Sequence, residues 1–385
     1  MSKNRRTTLL ETIKDRQFIV IGMEHYNPLG VIRSLGQCGI MPVYIAIKHR
    51  CPLASLSKYC GEVRYVDNVD EGYRILVENY GDPVKKPFVI TTDDDIQSLI
   101  DLNWSSLKDR FVLFNSGKDG RTTKFMDKKE ILDCAERNGL PVLKTVVVDR
   151  GIVPQGMEYP VITKAISPND GGWKSDVHIC ASAKELDEAF KTIQSERVLI
   201  QRFVEKSNEI CIEGFSADGG RLTFMPFYTT YNYNIEGYYS PYMTLHSYDL
   251  PELDRGVRNM LAEIGFEGIF EVEFLVDADG APYFSEINFR NSTWSYAATK
   301  LGMPLPCLWA ESMETGSVPA SYYRSVPEGY QAMVEPIDYK KRVVEGETSA
   351  ARWLADFKGA DCLYYMDEDD PKPYEVMVEN WELLG

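Results

Sequence analysis

The chain has 385 residues, 44 % of them hydrophobic, and a formal net charge of −16 at pH 7; that is long enough for two or three packed units sharing one cleft, and too acidic for a general nucleic-acid or anionic-membrane surface, which needs clustered Lys and Arg. The eight cysteines stand far apart with no C-x-x-C, which argues against a zinc site or a disulfide framework and for reduced, intracellular thiols. The opening MSKNRRTTLLETIKDR is basic but has no apolar h-region, and no window approaches a membrane span, so the expectation is a soluble, cytoplasmic protein with no nucleic-acid and no membrane partner.

FIVIG (18–22) is a buried strand, and a helix follows from about Pro28 to Gly36. MPVYIA, PFVITT and FVLFN read as further strands, with helices over VDEGYRILVENYG and DDDIQSLIDL. Apolar runs alternating with amphipathic segments predict a parallel sheet in an α/β domain over residues 1–122. Such sheets bind ligands beyond the carboxyl ends of their strands, so the loop His25-Tyr26-Asn27 is expected to face a cleft, an ordinary βα connection being the alternative reading. From Met126 the rhythm changes. MDKKEILDCAERNGLPVLKT is a capped helix, a Gly stop and a strand; PVITK, SDVHIC, the helix SAKELDEAFKTI and VLIQRFV complete a small α+β unit over 123–205. EICIEGFSA, RLTFMPFYTTY, the helix LDRGVRNMLAEIGF and the hairpin EVEFLVDADGAPYFSEINFRN build a larger unit over 206–317, and 318–385 reads as a further small α+β segment.

The hairpin carries acids where strands usually carry apolar residues. With a turn at Ala278-Asp279-Gly280-Ala281, Glu273 lies opposite Glu286 and Glu271 opposite Asn288. Alternation puts all four on one face, with Val272, Phe274 and Val276 on the other. Facing carboxylates repel, and a divalent cation removes the conflict; hard oxygen ligands on neighbouring strands suit Mg²⁺, which keeps waters and takes its remaining ligands from nucleotide phosphates. A solvated outer face is the alternative reading. Cations stand upstream: Lys128 at a helix start, Lys164 closing PVITK, then AISPNDGGWKS, whose Gly171-Gly172 would let backbone N–H groups reach a phosphate. No Walker A motif and no G-x-G-x-x-G occur.

The order M-D-K, P-V-x-x-K, a Gly-rich loop, LIQRFVEKSNE, V-E-F and S-E-I-N-F-R resembles the ATP-grasp superfamily over about residues 18 to 316. It is similar to the carbamoyl-phosphate-synthase-like carboxylate–amine ligases, especially D-aspartate ligases and other amino-acid ligases. The resemblance implies an ATP-grasp fold of α/β and α+β units: a Rossmann-like pre-ATP-grasp domain (1–122), a small lid subdomain (123–205), a large subdomain with the metal site (206–317) and a C-terminal segment. It implies ATP with Mg²⁺ (or Mn²⁺). Lys128 and Lys164 match the lysines on the α- and β-phosphates, with Gly171 and Gly172 in the phosphate flap. Gln201, Arg202, Phe203 and Val204 match the hinge whose backbone reads adenine, and Glu209 the acid on the ribose hydroxyls. Glu273, Glu286 and Asn288 match the metal ligands; Arg290, with Asn288, falls at the transferred phosphoryl group. Two features depart from the pattern: Gln201 stands where many members have Glu, and the flap ends in Trp173-Lys174.

The implied reaction joins a small-molecule carboxylate and an amine. Attack of the carboxylate on the γ-phosphoryl group makes an acyl phosphate, which the amine then opens. The segment MPFYTTYNYNIEGYYSPYMTLHSYDL (225–250) is expected to line or cover the acceptor site, with a core or dimer-contact role as the alternative reading. Asn291-Ser292-Thr293 is expected to open a helix whose N–H groups hold a substrate carboxylate. Candidate substrate residues are therefore His25, Tyr238, Asn291 and Ser292, and a homodimer is compatible with the sequence. A carboxylase, a phosphotransferase or a non-catalytic nucleotide-binding regulator on the same scaffold are the alternatives. The first two lack their expected histidines, and the last has no need of both metal carboxylates.

Overall fold

The computed structural model describes residues 11–166, 173–235 and 239–381. The N-terminal unit is a four-stranded parallel sheet in the order Glu62–Val66, Val43–Ile47, Phe18–Met23, Phe88–Thr91. The central strands are apolar throughout because helices cover both faces of a parallel sheet. The helices start where short polar side chains cap them: Asn68 accepts from Glu71 N–H ahead of Val69–Asn79, and Asp93 from Asp95 N–H ahead of Asp94–Leu102. The helix after the first strand begins at Tyr26, earlier than expected, because His25 caps it. FVLFN forms single bridges instead of a full strand. Val112 pairs with Phe88, but Asn115 turns away to exchange both backbone bonds with Glu267 of the large unit.

The small unit holds the helix Lys128–Arg137, capped by Asp127, and an antiparallel sheet in the order Thr145–Asp149, Arg197–Arg202, Val161–Ala165, Ile179–Cys180. The strand expected in PVLKT starts only at Thr145, since Pro141 and Val142 are docked against Phe284 of the hairpin. SDVHIC shrinks to Ile179–Cys180 because Asp176 turns inward, where it accepts from Gln194 N–H, Ser195 N–H and Ser195 Oγ.

The large unit is a seven-stranded sheet: Pro282–Asn288, Gly268–Val276, Asn208–Ala217, Leu222–Tyr231, Tyr242–Ser247, Gln331–Met333, Cys362–Leu363. Its last two strands come from residues 318–385, so the C-terminal segment completes this sheet. The helix Pro251–Ile264 stops at Gly265, which takes the left-handed φ of 76° that ends helices. In the hairpin, Glu271 pairs with Asn288 and Glu273 with Glu286, as expected. Nearer the turn the register is offset by one residue, with Val276 opposite Pro282, and a bulge restores it between Phe284 and Glu286. The extra residue is the exposed Ser285.

The C-terminal tail is fastened to the first unit by one fully buried guanidinium. Arg33 donates from Nε to Asp370 Oδ2 at 2.9 Å, from Nη1 to Tyr364 O at 2.8 Å, and from Nη2 to Tyr365 O and Asp370 O. Asp370 also accepts from Ser57 Oγ and Lys58 N–H. Arg33→Met would remove the cation and leave a buried carboxylate without its charge partner. We expect it to lower the unfolding free energy by about 3–5 kcal/mol, the usual cost of breaking a buried pair. Urea unfolding of both proteins measures this; a loss below about 1 kcal/mol, within the range of an ordinary substitution, would mean that the tail is held by its other bonds.

Candidate active site

The floor of the site is the outer face of the large sheet, and its acids lie in register across three strands. One row runs Glu286, Glu273, Cys211; the next runs Asn288, Glu271, Glu213. Phe284 and Glu286, two residues apart, would share a face in a regular strand. The bulge at Ser285 sends Phe284 into the core and Glu286 to the acids. Glu273 Oε1 accepts from Asn288 Nδ2 at 2.9 Å. Burial, then the neighbouring Glu286 and Glu271, push the Glu273 carboxyl well above the usual range. Burial also raises Glu286, with the Lys128 cation opposing the shift.

The cation-binding capacity follows from this donor set. Among the described residues, no group of three or more His, Cys, Asp or Glu forms a cage for a metal ion. Two facing carboxylates and an amide fit a hard cation that takes its other ligands from solvent and substrate.

Arg290 reaches over these donors. Its Nη2 donates to Asn288 Oδ1 at 3.1 Å, while Nε and Nη2 grip the two oxygens of Asp94 at 2.9 and 3.1 Å. Burial alone would disfavour the cation, but Asp94 reverses the effect and holds the guanidinium charged. Asp94 comes from the N-terminal unit and was not singled out in the sequence. Its signal was TTDDD at the carboxyl end of a parallel strand, where ligand-binding loops gather.

Lys164 lies close enough to Glu286 to interact with its charge. Burial, reinforced by Lys128, lowers its amine to about 8, with Glu286 opposing. Its Nζ donates to Gln201 Oε1 at 3.1 Å, and Gln201 Nε2 donates to Thr145 Oγ1 at 2.9 Å. The Gln201 side chain is thus occupied in steadying a lysine. Arg202 N–H and Phe203 N–H bond Lys144 O and Pro160 O, so the sheet ladder ends at Phe203 and Val204 stands just past it. Glu209 accepts from Tyr231 Oη at 2.6 Å and from Lys206 Nζ at 3.1 Å.

A cavity of about 530 Å³ connects Glu209, Glu271, Glu273, Glu286, Asn288 and Arg290 with the strand ends of the N-terminal unit. His25, Tyr26, Tyr239 and Trp294 form its other wall, and the Tyr26 and Tyr239 hydroxyls bond at 2.7 Å. Tyr231 and Tyr239 bring the tyrosine-rich segment to the cavity, while Tyr233 and Tyr242 bond Asp338 and Gln331 away from it. His246 stacks on Tyr228 and pairs with Thr230 Oγ1, also outside the cavity.

The helix expected at Asn291 opens only at Ser295. Asn291 N–H is spent on Thr91 O, and its amide on Asn27 and Ser295, so this buried residue stitches two units together. Ser292 lines the cavity, but its hydroxyl donates to the buried Glu213. Gly171, Gly172 and Tyr238, and the side chains of Trp173 and Lys174, lie outside the described residues.

No family model matches the chain. It is 24 % identical over 166 residues to N5-carboxyaminoimidazole ribonucleotide synthase of Staphylococcus aureus, a match covering 42 % of this chain and 43 % of that protein. The match therefore spans under half of the curated relative. Among solved structures, the L-amino acid ligase from Bacillus licheniformis superposes with a TM-score of 0.60 at 14 % identity, covering 81 % of this chain and 78 % of that one. The biotin carboxylase domain of Hydrogenobacter thermophilus 2-oxoglutarate carboxylase, solved with ADP, magnesium and bicarbonate, gives 0.59 at 16 % identity, covering 80 % and 72 %. Among the described residues, no helix is long and apolar enough to cross a membrane.

The facing carboxylates make a prediction independent of any reaction. Like charges directly opposite on paired strands destabilise a sheet by up to about 1 kcal/mol. In metal-free protein, Glu286→Gln should therefore raise the melting temperature. Millimolar Mg²⁺ should raise that of the wild type and leave the variant almost unmoved. Equal Mg²⁺ shifts in the two proteins, read by differential scanning fluorimetry, would remove Glu286 from the cation site.

Proposed function

We propose, from the ATP-grasp fold that the chain shares with those structures, that it is an ATP-dependent carboxylate–amine ligase. It forms an amide bond through an acyl phosphate, on an amino acid or a small peptide-like substrate. The observation that carries this reading is the convergence of Glu273, Glu286, Asn288 and Arg290 on one cavity, with Lys128 and Lys164 close enough to Glu286 to interact with its charge.

A carboxylate resists attack by an amine because its charge repels the nucleophile and oxide is a hopeless leaving group. Phosphorylation supplies a leaving group, and phosphoryl transfer needs mainly position and charge neutralisation. Glu273, Glu286 and Asn288 would hold a Mg²⁺ or Mn²⁺, which would offset the negative charge of the phosphates. Lys128 and Lys164 serve the inner phosphates. Arg290, held charged by Asp94, serves the group in transfer. The backbone past Phe203 is the adenine contact, and Glu209 the ribose contact. With its amide engaged by Lys164 and Thr145, Gln201 acts on the nucleotide through Lys164. Tyr26, Tyr239 and Trp294 give the substrate side an apolar wall with hydroxyl groups, which suits an amino-acid-sized acid.

The partition of the charges sets the chemistry. The arginine and the cation ligands gather where the terminal phosphoryl group would sit, so the products should be ADP and phosphate. With a carboxyl-¹⁸O acid, one labelled oxygen is expected in inorganic phosphate, and hydroxylamine should trap a hydroxamate when the amine is withheld. Glu286→Gln should lower turnover by at least about a hundredfold, the scale of a lost electrostatic element. Label in AMP, or AMP as the nucleotide product, would refute the reading.

Lys164 gives a second check. An amine with a pKa of about 8 is partly deprotonated slightly above pH 8. A nearby phosphate favours the charged form and raises that pKa, so nucleotide binding should take up a proton there. Calorimetry of a non-hydrolysable Mg²⁺–ATP analogue, in buffers of different ionisation enthalpy, should register the uptake in wild type and lose it in Lys164→Met. Absence of uptake in the wild type would place Lys164 away from the phosphates.

A further inference from the structure

The wall facing the carboxylates contains one imidazole whose proton can be placed. His25 caps the helix Tyr26–Gln37 with an extended backbone, and its Nδ1 accepts the Asn27 N–H at 3.1 Å. A ring nitrogen that accepts a hydrogen bond does not carry the proton, so in the neutral ring the hydrogen is on Nε2. The ring is neutral: burial, then His49 and Arg290, push its pKa down to about 3. Those two charged or titratable neighbours come from the loops that follow the strands Val43–Ile47 and Pro282–Asn288. The Tyr26 ring at 5.1 Å and the His49 ring, edge-on at 6.2 Å, fix the imidazole plane. Among the described residues Nε2 has no hydrogen-bond partner, and it is not one of the polar atoms sealed from solvent. His25 lines the cavity, so this N–H is available there.

We propose that His25 is a catalytic hydrogen-bond donor, its Nε2–H bonding the carbonyl oxygen of the substrate's carboxyl group and holding the negative charge that gathers there during amide formation. The assignment rests on the ligase reading above. In that step the neutral amine's lone pair forms the C–N bond, and the C=O π pair moves to oxygen. The pair then returns as the C–O bond to phosphate breaks, and the amine's proton leaves with the phosphate as hydrogen phosphate. His25 keeps its proton throughout. It is not the base, because the Nδ1 lone pair is engaged by Asn27 and Nε2 has none to offer. A donor fixed by a helix cap and two rings needs no reorganisation when charge develops, which is what makes such groups effective.

His25→Asn separates the cap from the donor. Asn accepts the same backbone N–H at an N-cap, but it is too short to place a donor where Nε2 stands. We expect the variant to keep the wild-type melting temperature. Its kcat should fall about a hundredfold, the usual cost of a lost oxyanion donor. The assay is ATP-dependent hydroxamate formation, with whichever acid of an amino-acid panel the wild type uses best. His25→Ala should lose both the cap and the rate. Independently, ¹⁵N NMR of histidine-labelled protein should show His25 as the neutral Nε2–H tautomer between about pH 5 and 8, a range in which an ordinary histidine titrates. An unchanged kcat in His25→Asn overturns the proposal, as does an Nδ1–H or doubly protonated ring. A wild type that forms no hydroxamate from any acid overturns the ligase reading instead, and with it the acceptor assigned to His25.

Discussion

Two glutamates that repel each other, Glu273 and Glu286, are held side by side, and much of the site is arranged around that conflict. Their pairing depends on a single extra residue. Without the bulge at Ser285, the register set at the turn would place Ser285 opposite Glu273 and send Glu286 toward the helices. A buried carboxylate there would meet apolar side chains. The bulge thus does two jobs: it keeps Phe284 in the core, where its N–H bonds Pro141 O, and it delivers Glu286 to the cavity. The small unit and the carboxylate face are tied to the same few residues.

The remaining geometry concerns how the N-terminal unit is brought to that face. Asn27 and Asn291 exchange two bonds across the boundary, at 2.5 and 2.9 Å, and Asp94 grips Arg290. On the far side of the same helix, Arg33 fastens the C-terminal tail, whose Cys362–Leu363 strand is the last of the large sheet. The helix Tyr26–Gln37 therefore touches the cavity at its start and the tail along its length. His25, Tyr26 and Asn27 owe their positions to this docking, which is why the cap and first turn of one helix contribute three residues to the cavity wall.

The parts of the site legible in the sequence were those carried on one local element. Glu271, Glu273, Glu286 and Asn288 follow from strand alternation within a single hairpin, and Lys128 follows from a helix start. The bulge was not legible: Phe284-Ser285-Glu286 reads as ordinary alternation, and the site register came out right because a turn placed one residue late was offset by it. Asp94 and the Lys164–Gln201–Thr145 chain were not legible either. A side chain's partner 196 positions away, as for Arg290 and Asp94, leaves no periodic trace. Asn291 and Ser292 misled for the same reason: their polar groups looked available on a helix start, but tertiary partners had claimed most of them.

Gln201 shows how the two charge conflicts of the site are kept apart. A carboxylate at that position would neutralise Lys164 and raise its pKa, removing the cationic field before any phosphate arrived. The amide gives the lysine a hydrogen bond but no charge, so burial and Lys128 still act on it and its amine stays near 8. Glu286 lies close enough to oppose that shift, yet it is itself raised by burial, so neither ion fully satisfies the other. The acids want a cation and the lysine wants an anion, and a metal–phosphate complex carries both charges in one ligand. A ligand of that kind would relieve this electrostatic strain more fully than either ion alone.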